Sequence, residues 1–174
     1  MARVKLIENK DARAEAKELF EKLEANGSRI LNLQKALAHS PRILRDFIRL
    51  GNSLLYKTAL PDTLRELAIL RVGALTNAHY EWTQHVRVAL RTGVPQEQID
   101  AVHHWKHSPA FNDTERAVLK YTDEQTLHIR VSDETFNGMR NFLNEQEIIE
   151  LTVTIGYYGM VSRVLETLQV ELES

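Results

Sequence analysis

Apolar residues recur at helical spacing along most of the chain, and no stretch alternates apolar and polar residues as a half-buried strand would. The pattern predicts an all-α protein. DARAEAKELFEKLEAN reads as a first amphipathic helix closed by Asn-Gly, and SRILNLQKALAH as a short second one. Ser40-Pro41 opens RILRDFIRLGNSLLYK, and Pro61 opens DTLRELAILRVGAL. Asn77 is placed to cap HYEWTQHVRVALRT, which Gly93 ends. Pro95 starts QEQIDAVHHW, Asn112-Asp113 starts TERAVLKYTDEQTL, and Ser132 caps DETFNGMRNF. A long helix then runs from Glu145. With no repeat, linker or low-complexity block, residues 1–174 read as one domain.

The polarity of these helices differs. The first helix and the tail QVELES are polar enough to lie at the periphery. LRELAILRVGAL is apolar on nearly all sides, and so is IIELTVTIGYYGMVSRVLETL, whose two glycines permit close packing. Helices of that kind belong inside a bundle or between subunits. Glu66 shares a face with Ile69, Leu70 and Gly73, three, four and seven residues on. A carboxylate there needs donors, a cation or a proton. A salt bridge to Arg65 or Arg71 would satisfy it, and so would an imidazole.

His85 is the imidazole to test. It stands four residues after Glu81, with Trp82 between them and the polar stripe Gln84, Arg87 and Arg91 opposite. Composition narrows the chemistry around it. The net charge of -2 gives no basic stripe, so nucleic acid is not an expected partner. There is no Cys, which excludes thiol chemistry and fits a reducing compartment. No apolar leader is visible, and no run approaches the ~18 apolar residues of a spanning helix. A cytoplasmic protein without membrane contact is expected.

LPDTLRELAILRVGALTNAHYEWTQHVRVALRTGVPQEQIDAV, from Leu60 to Val102, resembles the carboxymuconolactone decarboxylase family, which shares a fold with alkylhydroperoxidase D. The ordered series REL-ILRV-AL, YEW--H and GVP--QI carries the likeness, which continues more loosely through FNDTERAVLKYTDEQ. In the peroxidase branch a Glu precedes a Cys-x-x-Cys and then a His. Glu66 and His85 match that Glu and His, while Ala78 and Glu81 stand at the thiol positions. Thiol peroxidase activity is therefore excluded, and Glu81 resembles the decarboxylase-type branch. The resemblance implies an alkylhydroperoxidase D-like helical bundle, no cofactor, and assembly as a homotrimer or homohexamer. It also implies a lyase acting on a small lactone acid of aromatic catabolism. Residues 1–39 exceed the compact members and form an N-terminal helical extension.

Decarboxylation of an unsaturated lactone acid sends the departing electron pair into the lactone carbonyl, so the substrate is its own electron sink. The protein must stabilise the dienolate and return a proton to carbon. His85 is the expected proton donor, with Glu81 setting its protonation state and Glu66 holding the ring from behind. Tyr80, Trp82, Arg71 and His104 are the expected substrate-binding residues. A lactone isomerase or ring-opening enzyme would use the same groups. A non-catalytic module would instead show Glu66 and His85 paired and sealed, whereas an enzyme should show a small cavity touching His85. No metal site is expected: His103 and His107 lack an acidic third ligand, and the Glu-to-His spacing is four where di-iron bundles use three.

Overall fold

The computed structural model describes residues 1–173, and every regular element among them is helical. The chain divides into two compact units. One comprises residues 1–53 with the C-terminal residues from Val164, the other Leu54–Arg163.

In the first unit lie α1 (Ala14–Ala25), α2 (Asn32–Leu37) and most of α3 (Pro41–Tyr56). Ala16 and Phe20, four residues apart on α1, join Ile30, Ala38 and Leu44 in a small core. Ala16 and Phe20 are fully buried, Leu19 and Leu23 pack half-buried against the same core, and the opposite face of α1 is polar and exposed, so its peripheral character belongs to one face only. Both chain ends are tied down here. Arg3 N–H donates to the Leu168 carbonyl at 2.8 Å, and Asn32 N–H to the Glu173 carboxylate at 2.6 Å.

The second unit is built on α4 (Asp62–Thr76), which packs against α5 (His79–Thr92) and α7 (Asp113–His128). Every residue of α4 from Leu64 to Gly73 is buried, including Arg65, Glu66 and Arg71. Leu67 and Leu70 enter a core with Ala89, Val102, Trp105 and Leu119. Completing the unit are α6 (Gln96–Ala101), α8 (Asp133–Met139) and the greater part of α9 (Glu145–Leu168).

Several boundaries follow the local chemistry of the sequence. Asn112 Oδ1 accepts from Glu115 N–H at 3.0 Å while Glu115 accepts from Asn112 N–H at 2.9 Å, a reciprocal cap on α7. Ser132 caps α8 through Thr135 N–H at 3.3 Å. Gly93, at φ 96°, ends α5 in the left-handed region that glycine tolerates best. Asn77 acts differently from the expectation. It closes α4 at φ 53°, a conformation asparagine adopts more readily than most residues, and Ala78 occupies the N-cap of α5. The predicted helix through VHHW also breaks: α6 stops at Ala101, and a 3-10 turn follows over Val102–His107 with a kink at His104.

The expectation that no segment is long and apolar enough to cross a membrane needs correcting. By length and composition α9 qualifies, because threonines, glycines and tyrosines dilute its charge. However, 56% of its most apolar window is buried inside the protein, as in a core helix.

Candidate functional site

Glu66 comes from the middle of α4, and Glu81 and His85 from the first two turns of α5. Where the two helices meet, His85 lies between both carboxylates. Its Nδ1 is 2.7 Å from Glu66 Oε2 and its Nε2 is 3.1 Å from Glu81 Oε1. The second oxygen of Glu66 accepts from Arg65 Nε at 3.1 Å, and Arg65 Nη1 reaches Asp62 at 2.5 Å. Glu66 thus has the salt bridge and the imidazole together. The ring of Tyr158, from α9, stands edge-on to His85 with centroids 4.7 Å apart. Nothing in the sequence around Tyr158 signals that it meets an imidazole 73 residues earlier.

This enclosure sets the proton affinity of His85. Burial disfavours the charged ring, but hydrogen bonds and charge from Glu66 and Glu81 outweigh it and raise the pKa to about 9. At neutral pH the group is an imidazolium with a carboxylate on each nitrogen. The same carboxylates, with burial as the larger cause, push the Tyr158 hydroxyl well above its usual range. Since the ring titrates near 6.5 when unfolded, its contribution to stability is complete below that pH and is lost as pH rises through about 9. We expect urea midpoints to fall between pH 6.5 and 9, by up to about 3 kcal/mol in unfolding free energy. A flat profile across that window would contradict the pairing.

The other expected residues are dispersed. Arg71 is turned toward α7, where its Nε meets Asp123 Oδ1 at 2.6 Å and its Nη1 donates to the Val102 and His103 carbonyls at 3.0 and 3.1 Å. Trp105 Nε1 completes that cluster, donating to Asp123 Oδ2 at 3.2 Å. Arg71 therefore serves an internal ion pair in place of the substrate-binding role read from sequence. Tyr80 is buried, and His104 is exposed.

Trp82 does face open space. A cavity of about 300 Å³ is lined by Gly73, Ala74, Asn77, Ala78, His79, Trp82 and His103. The ring expected there, His104, is replaced by its neighbour His103, whose centroid lies 4.6 Å from that of Trp82. Both histidines are exposed, and the backbone between them departs from helical geometry at His104. His85 and Glu81 are not among the lining residues, and each is about 95% buried, with 6% and 5% of its surface exposed. The cavity instead reaches α5 through Ala78 and Trp82, which flank Glu81 along the helix.

The arrangement can hold and pass a proton. It is poorly shaped for a metal ion between the two glutamates, because they meet opposite edges of the ring. Among the described residues, no three His, Asp or Glu side chains are grouped to hold one.

Comparison with known proteins agrees with this architecture. Residues 41–124 match the model of the carboxymuconolactone decarboxylase family. The uncharacterized protein YdfG of Bacillus subtilis (strain 168) is 24% identical over 110 residues, which are 62% of this chain and 75% of that protein. An uncharacterized peroxidase-related protein from Silicibacter sp. TM1040 superposes over 99% of this chain and 92% of its own, at 17% identity and a TM-score of 0.85. The debrominase Bmp8, solved with 2,3,4-tribromopyrrole, covers 100% of this chain and 95% of its own, at 19% identity and a TM-score of 0.82. At such identities the solved structures establish the fold, and that fold serves more than one chemistry.

Proposed function

Because residues 41–124 assign this chain to the carboxymuconolactone decarboxylase family, we propose that it is a cofactor-independent lyase that decarboxylates a small unsaturated lactone acid. One observation carries the reading: a buried imidazolium held at both nitrogens by Glu66 and Glu81. Such a ring stays charged across neutral pH and can supply the proton that the dienolate carbon requires. Glu66 anchors Nδ1 throughout. Glu81 covers Nε2, so the proton reaches substrate when the Glu81 side chain rotates aside or relays it through its own carboxyl group.

The substrate is the small-molecule partner. A cytoplasmic setting suits a chain that carries no cysteine. Absorbance at the conjugated-lactone band, followed for a panel of lactone acids with purified protein, tests the activity. Loss of carbon dioxide from none of them would overturn it. The second reading, a non-catalytic module that kept the fold, is favoured by three observations that match the arrangement expected of such a module: His85 is paired with Glu66, is almost fully buried, and is not among the residues lining the cavity. It predicts that same silence together with unchanged thermal stability in the presence of every acid.

A homotrimer or homohexamer belongs to this proposal. It is supported by the exposed stripe Ile149, Val153 and Met160 along α9, at spacings of four and seven. Val153→Asp should shift the protein to monomer in light scattering. A monomeric wild type, or an oligomer indifferent to the change, would remove this stripe as the interface.

A further inference from the structure

We propose that a cleft in the first unit, walled by residues 13–15 and residues 39–42, binds a small phosphoryl dianion. Its volume of about 470 Å³ lies within the range of ligand sites. It uses no residue of the lyase proposal, so the two stand or fall separately. Arg13 brings a guanidinium to one wall and Arg42 to the other. Both residues are exposed, and neither guanidinium has a hydrogen bond or ion pair with a described residue. Arg45, the next arginine on α3, is by contrast engaged by Asp46 at 3.1 Å. Two cations without counter-charges, on opposite sides of one cleft, are arranged for an anion from outside.

The remaining lining residues sharpen the choice of ligand. His39 Nε2 donates to the Lys5 carbonyl at 2.8 Å, which holds the ring and leaves Nδ1 for a ligand. Ser40 adds a hydroxyl. Glu15, the acidic member of the lining, is within electrostatic reach of Arg45, which offsets its charge. Each guanidinium offers a planar fork of donors, and two forks can divide the three or four oxygens of a tetrahedral phosphoryl group between them. A carboxylate, with two oxygens and one charge, would occupy only one fork. The walls are also fixed in advance. Ala12 and Ala16 on one side share a core with Ala38 and Leu44 on the other, and Ala16 and Leu44 are fully buried. Binding therefore orders side chains but not backbone. Since residues 13–15 form one wall, a chain lacking residues 1–39 would lack the site.

The test is isothermal titration calorimetry of the full chain at constant ionic strength and about pH 8, where phosphate monoesters are dianions. Inorganic phosphate is expected to bind with a Kd below about 1 mM, and acetate at least about tenfold more weakly. Replacing both cations, Arg13→Gln with Arg42→Gln, should weaken phosphate at least about tenfold. Arg87→Gln with Arg91→Gln removes the same charge from the exposed stripe of α5 and should change it less than about twofold. All four arginines are exposed, and circular dichroism checks that both double variants are folded. Glycerol phosphate separates the two sources of the dianion: tighter binding than inorganic phosphate identifies an ester, and weaker binding the free ion. No heat with either probe, no preference over acetate, or equal losses in the two double variants overturns the proposal.

Discussion

His85→Gln is expected to lower turnover on a lactone acid by roughly 10²–10⁴-fold, the usual worth of a well-placed general acid. Glutamine keeps an amide donor for one carboxylate but has no proton to give. KM should change little, since the ring lies outside the cavity lining. Alanine is the wrong test. It would leave Glu66 and Glu81 facing an empty space at nearly full burial, and breaking a buried charge pair costs about 3–5 kcal/mol. That is a large part of the 5–15 kcal/mol typical of whole domains, so an alanine variant would lose fold along with any proton donor. Turnover in the glutamine variant within about threefold of wild type would remove His85 from the mechanism. If His85 acts, kcat in the wild type should also decline above pH 9, where the ring loses its proton.

The second large effect concerns Arg71. Replacement by alanine strands Asp123 with the Trp105 indole and the more distant Lys106 ammonium, 3.5 Å away, and frees the Val102 and His103 carbonyls. We expect a loss of about 3–5 kcal/mol, which for a chain of this size lowers Tm by roughly 6–20 °C. Lysine should recover little, because only the guanidinium fork reaches the carboxylate and both carbonyls together. The contrast with a binding role is direct. A substrate-binding arginine would raise KM and leave Tm in place; that result would restore the reading from sequence.

How far the sequence foretold these features depends on the range over which each interaction acts. The inward face of Glu66 was legible from its spacing to Ile69, Leu70 and Gly73 within one helix. The pairing with Glu81 is also local, one turn of α5. Glu66 to His85 spans 19 residues across a helix crossing, and only the family resemblance indicated it. Nothing near Arg71 announces a carboxylate 52 residues later, so its charge was free to be read as a substrate anchor. At His103 and His104 regular helical periodicity fails where a 3-10 turn kinks, and the residue that lines the cavity is His103 in place of His104. The shift at Asn77 is of the same kind. A cap residue was expected at the start of α5, whereas the tight junction uses asparagine to close α4. The discrepancies at Arg71, His104 and Asn77 lie at junctions or long-range contacts, where composition and periodicity are silent.

Glu81, bonded to the imidazole where the resemblance to the peroxidase branch would place a thiol, has a practical corollary. A carboxyl group cannot be driven to sulfenic or sulfinic acid, nor captured in a mixed disulfide. Whatever this centre does, it has no thiol redox cycle to reset, and peroxide cannot poison it by the route that silences thiol enzymes.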